Sequence, residues 1–201
     1  MTLAFNNIGS LGRLGNQMFE YAALRGIAAR HSYEWCIPPP ERKGIENYSL
    51  HDCFKLSPDR REGIMDPCQY AQEPHFHFSE ELFEQCPDNV SLHGFFQSWR
   101  YFYNVRDEIR KDYTFHDGIL NPCKEMMQEL EGQEPIMLHV RRGDPNLTDP
   151  RGFKWSYTQC GSMHPVQPIE YYEKALSKFR KDQPVIVFSD SVDWVKEQEF
   201  F

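Results

Sequence analysis

The sequence predicts an α/β fold built on parallel strands, and three observations carry that reading. A short apolar segment, Leu3–Ile8, runs into Gly9, Gly12 and Gly15 and then into an apolar-periodic stretch, which reads as strand, loop and helix. Ile136–Val140 and Val185–Phe188 are continuous apolar runs preceded by Pro135 and Pro184, the pattern of strands buried on both faces of a parallel sheet. Between them Ile169, Tyr172, Leu176 and Phe179 recur at helical spacing, so strand, helix and strand form a right-handed crossover unit.

In chain order, the first helix is expected to be capped by Asn16, to carry Glu20 in its first turn where the dipole favours an acid, and to run to about His31. Its apolar face would be Met18, Tyr21, Ala22, Leu24 and Ala28. Pro38-Pro39-Pro40 opens a loop-rich region reaching about Asn89. Between Asp66 and Asp88 it holds six acids and no Lys or Arg, which reads as a solvated face. His75-x-His77 would alternate onto one side of a strand, but two imidazoles without a third ligand make a weak metal site. Val90–Phe96 alternates as a strand. Trp99–Tyr113 is helix-compatible, with its aromatics in the core. Pro122–Glu131 is a short helix ended by Gly132. The expected division is an N-terminal α/β lobe over 1–132 and a second Rossmann-like lobe over 133–201.

Composition narrows the function. The 201 residues are 40% hydrophobic and 26% charged with a net charge of −8, a folded chain whose charge argues against nucleic acid or an anionic membrane as the main partner. A charged substrate would then need a local basic site. No apolar run reaches the roughly 18–20 residues that cross a bilayer, and Met1–Ile8 lacks the features of a signal peptide, so a cytoplasmic chain, free or peripheral at the membrane, is expected. The six cysteines are scattered without a C-x-x-C pair and read as thiols in a reducing compartment. Without an export signal, the sequons at Asn47, Asn89 and Asn146 read as chance matches.

The sharpest constellation is His139-Val140-Arg141-Arg142-Gly143-Asp144, because it stands where a buried strand ends. Ligands of open α/β sheets bind beyond the carboxyl ends of the strands, and two adjacent guanidinium forks suit the oxygens of a pyrophosphate. Asp144 would orient an arginine, hold a hydroxyl or act as a base. The alternative is an ordinary surface Arg–Asp pair. The long loop from Gly143 to Pro168 brings Trp155, Tyr157 and His164, and Ser189-Asp190-Ser191 ends the neighbouring strand with groups suited to a ribose or base. The glycines after the first strand are spaced G-x-x-G-x-x-G and so fail the dinucleotide fingerprint. P-loop, G-x-S-x-G and H-E-x-x-H motifs are absent. Asp-x-Asp is absent too, so if a pyrophosphate leaves, arginines rather than a metal would neutralise it, and no metal ligand is assigned.

Gly12-Arg13-Leu14-Gly15-Asn16-Gln17-Met18, Gly94-Phe95-Phe96-Gln97-Ser98, the His139–Asp144 element and Val187-Phe188-Ser189-Asp190 together resemble the galactoside alpha-1,2-fucosyltransferase family, in the right order over nearly the whole chain. The resemblance implies a GT-B-like, two-lobed Rossmann-type enzyme. It would move fucose from GDP-fucose to the 2-hydroxyl of a terminal galactoside, with inversion and without a metal or other cofactor. By the same resemblance Arg141 and Arg142 clamp the pyrophosphate and Arg142 stabilises the leaving charge, while His139 and Asp144 shape the cleft and are the candidate bases. Arg13, Gly15, Asn16 and Gln17 face the cleft from the N-terminal lobe, and Ser189 and Asp190 lie against the guanosine. The family continues beyond the Ser-Asp element, so ending at Phe201 implies an incomplete C-terminal donor lobe. Exposed apolar strand edge, self-association or a completing partner would follow. A nucleotide- or carbohydrate-binding relic of that family is the alternative reading.

Overall fold

The computed structural model describes residues 1–41, 48–66, 68–143 and 165–199. Two compact units divide the chain, Met1–Pro122 and Cys123–Phe201.

The first unit is a five-stranded, all-parallel sheet in the order β3-β2-β1-β5-β4 with helices packed on it. Its elements are β1 (Thr2–Ala4), α1 (Leu14–His31), β2 (Glu34–Ile37), α2 (Leu50–Cys53), β3 (Arg61–Glu62), β4 (Gln69–Gln72), α3 (Glu80–Gln85), β5 (Val90–His93) and α4 (Arg106–Asp112). The expected first strand is present but ends at Ala4. Phe5 and Ile8 are fully buried beyond it, so their apolar character records core packing and not ladder length. β1 lies at the centre, registered Leu3 to Trp35 on one side and Leu3 to Val90 on the other. The chain therefore leaves β1 towards β2 on one side and returns through β4 and β5 on the other. In a parallel sheet this reversal opens a crevice at the strands' carboxyl ends.

α1 forms as expected from its apolar positions, with Tyr21, Leu24 and Ile27 fully buried, each worth about 1.5–3 kcal/mol for its side chain. Its start differs from the sequence reading. Arg13 is the N-cap residue, Asn16 already lies within the helix and does not cap it, and no acid occupies the first turn. Glu20 lies further along and is wholly buried. Ser32, left-handed at φ 56°, ends the helix. A polar knot ties α1 to α4: the Tyr21 hydroxyl donates to Asp112 at 2.8 Å, Arg25 pairs with the same carboxylate, and Tyr113 donates to the Met18 carbonyl. Burial first, then the Asp112 charge, raises the Tyr21 phenol above its ordinary range. All of these groups have low exposure, so the pair has the partners that buried charge requires.

Trp99–Tyr113, read as one helix, is two 3-10 turns (Trp99–Tyr101 and Tyr103–Val105) followed by α4. Its aromatics divide: Tyr101 is fully buried against Phe78 and Phe96, whereas Trp99 and Tyr103 are exposed. In the acidic stretch, Asp66, Glu80, Glu81 and Glu84 are exposed as expected of a solvated face, but Glu73 is buried. Ser79 caps α3 by accepting from the Leu82 N–H at 3.1 Å. His75 and His77 contact each other, with His75 Nδ1 3.0 Å from the His77 carbonyl.

α5 (Asp117–Gln128) contains Pro122 inside it, so the helix begins five residues before the proline and ends before Gly132. The sequence places the division at 132/133, whereas the compact units divide at 122/123. Within the second unit, β6 (Ile136–Val140) and β7 (Val185–Ser189) pair in parallel, His139 opposite Phe188 and Val140 opposite Ser189. α6 (Ile169–Leu176) and α7 (Val192–Lys196) complete it. The crossover is as expected, but burial on both faces is not. Leu138 and Val140 pack with Tyr172 and Val195, whereas Met137 and Phe188 on the other face are about half exposed. The core of this unit is correspondingly small. Cys36 and Cys86 are buried free thiols, and burial pushes the Cys86 thiol up to about 11; Cys160 lies outside the described residues. Among the described residues no helix is long and apolar enough to cross a membrane, and no three His, Cys, Asp or Glu side chains gather as a metal ion would need.

Candidate active site

The carboxyl ends of β6 and β7 are stitched together by the motifs that follow them. Asp190 accepts from the main-chain N–H of Arg142 at 2.9 Å, and the Ser191 hydroxyl donates to the Gly143 carbonyl at 2.7 Å. The Ser189 hydroxyl accepts from the Ser191 N–H at 2.9 Å and sharpens that turn. One oxygen of Asp190 is thereby bound to the protein's own backbone, fixing the point from which the Arg142 side chain departs.

That side chain is half-buried, and its guanidinium lies over the Trp194 ring 3.8 Å from the centroid. The stack leaves the planar fork's edge able to meet paired anionic oxygens while the flat face is held by the indole. Arg141 is exposed, and His139 is exposed on the face of β6 opposite the small core. Tyr172 packs in that core; burial raises its phenol above the ordinary range, the Arg142 charge acts against the rise, and the Asp190 charge adds to it. Asp144, Trp155, Tyr157 and His164 lie outside the described residues. Trp194 was missed in the sequence. The available signal was its place four residues beyond Asp190, on the short helix that the strand-end turn feeds.

In the first unit the motif loops after β1 and β5 meet. Gly12 adopts φ 73°, and a Cβ there would fall 2.8 Å from Asn16 Cβ, so only glycine lets the loop close on the helix start. Asn16 Oδ1 accepts from Gln97 Nε2 at 2.6 Å, joining the G-x-L-G-N-Q segment to the G-F-F-Q segment across the crevice edge. Arg13 and Gly15 are exposed. Gln17 is turned inward instead: it is fully buried and its Oε1 accepts from the Ser49 N–H at 3.0 Å, so it positions the start of α2. Asn6, also unforeseen, is buried at the end of β1. It takes the Ser91 hydroxyl on its N–H and binds both the N–H and the carbonyl of Met65 through its amide.

Glu73 sets the conformation of the G-F-F-Q loop. Its Oε2 accepts from the N–H groups of Phe95 (2.8 Å) and Phe96 (2.9 Å). Phe96 is left-handed at φ 50° and fully buried, and a Cβ at Gly94 would lie 2.4 Å from Glu73 Cβ. The buried carboxylate thus offsets a strained backbone that pure packing would not select. Glu73→Ala is expected to cost about 2–6 kcal/mol, since one buried and one part-buried donor lose their partner at about 1–3 kcal/mol each. A thermal midpoint within a degree of wild type would contradict this.

The family model of glycosyl transferase family 11 matches residues 3–199. The chain belongs to glycosyl transferase family 11. Galactoside alpha-(1,2)-fucosyltransferase 2 of Mus musculus is 30% identical over 202 residues, covering 94% of this chain and 54% of that protein. Galactoside alpha-(1,2)-fucosyltransferase 1 of Homo sapiens is 27% identical over 196 residues, covering 92% and 50%. The family 11 chain described here therefore spans about half the length of the curated relatives it matches. Among solved structures, fucosyltransferase NodZ from Bradyrhizobium aligns with a TM-score of 0.59 at 15% identity, covering all of this chain and 75% of that one. That likeness bears on the fold, and it agrees with the α/β, parallel-sheet architecture expected for a family 11 glycosyltransferase.

Proposed function

We propose that this family 11 chain transfers L-fucose from GDP-fucose to the 2-hydroxyl of a terminal galactoside, with inversion and without a metal. The observation that carries the reading is the Arg142 guanidinium held on Trp194 at the carboxyl end of β6, within a family-matched sequence whose similar proteins are named for alpha-(1,2)-fucosyl transfer to galactosides.

In this reading the acceptor oxygen attacks the anomeric carbon from the side opposite the nucleotide. The bond between that carbon and the phosphate oxygen breaks, and GDP departs with the bonding pair. Arg142, supported by Arg141, neutralises the charge that grows on the departing pyrophosphate, which is where permanently charged, forked donors lower the barrier most. Asp190 contributes by locking the Arg142 main chain, and Ser189 with Ser191 shapes the turn beside it. The acceptor proton passes to a base, for which His139 and Asp144 are the candidates.

The test is calorimetric titration with GDP-fucose, with GDP-mannose as control, followed by a transfer assay on lactose with the same sample. Selective binding with formation of 2′-fucosyllactose supports the proposal; equal affinity for both sugar nucleotides and no product overturns it. Activity should be unchanged by EDTA, and a marked loss would show that a divalent ion, not the arginines, neutralises the leaving group.

A further inference from the structure

The carboxyl edge of the five-stranded sheet carries aromatic groups that the nucleotide chemistry does not use. β4 runs into Glu73-Pro74-His75-Phe76-His77, and its parallel neighbour β5 runs into Gly94-Phe95-Phe96-Gln97. Phe76 is 69% exposed, and its ring stacks with that of Phe95, centroids 6.1 Å apart and planes 23° from parallel. An apolar surface of this kind at a strand-end crevice is the usual material of a ligand site, provided that polar groups rim it. His75 and His77 flank Phe76 and are exposed, while the Gln97–Asn16 amide pair stands just beyond Phe96. The pair of rings is also anchored. Glu73, three residues before Phe76, binds the Phe95 N–H directly, so one buried carboxylate sets both strand-end segments.

We propose that Phe76 and Phe95 form the platform on which the galactose ring of the acceptor stacks. This rests on the fucosyl-transfer reading and deepens it by assigning the acceptor subsite. The C–H bonds at C3, C4 and C5 of a galactopyranose gather on one face and make an apolar, partly positive patch. The negative face of an aromatic ring attracts such a patch. A sugar lying flat in this way keeps its equatorial 2-hydroxyl at the rim of the platform, clear of the rings, and offers its remaining hydroxyls to His75, His77 and Gln97. The neutral, amphipathic character of the platform matches a galactoside and not an anionic ligand.

The experiment uses the full chain, with Phe76→Ala and Phe76→Trp beside wild type. Because Phe76 is mostly in solvent, its removal leaves the core intact. Phe76→Ala is expected to raise the KM for lactose about tenfold with the KM for GDP-fucose and the thermal midpoint unchanged, and Phe76→Trp to retain wild-type values. Saturation-transfer NMR on lactose should mark the C3, C4 and C5 protons of galactose most strongly, and the effect should vanish in Phe76→Ala. An unchanged lactose KM in Phe76→Ala, or saturation centred on the glucose ring, overturns the platform while leaving fucosyl transfer standing. A wild type that makes no fucosylated product overturns the underlying reading; lactose saturation lost in Phe76→Ala would then still support a galactoside site, and its absence from wild type would remove that too.

Discussion

Arg142→Ala is expected to weaken GDP binding by roughly 100-fold or more while leaving the second unit folded. The substitution removes a guanidinium whose paired contacts to phosphate oxygens are each worth about 1.5–3 kcal/mol, and about 2.7 kcal/mol corresponds to that factor. It spares the architecture, because the bond from residue 142 to Asp190 comes from the main-chain N–H and survives any side chain that keeps the backbone in place. Arg142→Lys should fall between, since it keeps the charge but loses both the fork and the flat contact with Trp194. Calorimetry with GDP, paired with circular dichroism on the same samples, checks the prediction. Undiminished affinity in a folded Arg142→Ala protein would show that the phosphates are held elsewhere.

Stability should fall as pH rises from 5 to 8, and Glu20→Gln should remove much of that fall. Glu20 is wholly buried, and among the described residues neither carboxyl oxygen has a hydrogen-bond partner. Desolvation pushes its pKa up to about 9; the nearby Gly9 N–H counters weakly, without the geometry of a hydrogen bond. The folded chain thus keeps a proton that the unfolded chain releases above about 4.5, and stability declines across the window between those values. The slope is about 1.4 kcal/mol per pH unit, so three units amount to about 4 kcal/mol at the upper bound. Below that window both states are protonated and Glu20 costs nothing in charge. Thermal unfolding of wild type and Glu20→Gln at a series of pH values should give converging curves towards pH 5 and the glutamine variant above wild type at pH 8. Parallel curves would show that the carboxyl is ionised in the native state.

β1, β5, β6, β7 and α1 were legible because their signals are local: an apolar run, a helical period, a bounding proline; β2 was not, nor were β3, β4, α2 and α3, which lie in the stretch read as loop-rich. The Arg141-Arg142 cluster was legible for a related reason, since a strand end can be read from where the apolar run stops. What the sequence hid depends on partners far along the chain. Glu73 reads as one acid among six until the fold brings the Phe95 and Phe96 N–H groups to it. Glu20 reads as a dipole-friendly acid because the helix start was placed by Asn16, whereas Arg13 begins it. Gln17, inside a motif that points to the cleft, is turned to Ser49 by a helical phase that one residue's shift alters by a large angle. The run from Trp99 to Tyr113 has helical composition, but Phe102 takes φ −134°, which divides it into turns. β6 looked doubly buried because continuous apolar sequence does not reveal that only one face is covered.

The central position of β1 has a consequence for biosynthesis. As the chain leaves the ribosome, β1 emerges ahead of every strand it must pair with. It can take β2 as soon as α1 has crossed over, but its other edge waits for β5, and α1 waits longer still for Asp112 and Tyr113 to close its polar knot. The interval leaves an unpaired edge of Leu3 and Ala4 in a nascent intermediate, the kind of surface that recruits chaperones or a neighbouring chain. Translation speed through residues 38–93 is therefore a lever on yield, and slowing synthesis after Val105 should do less than slowing it before Val90.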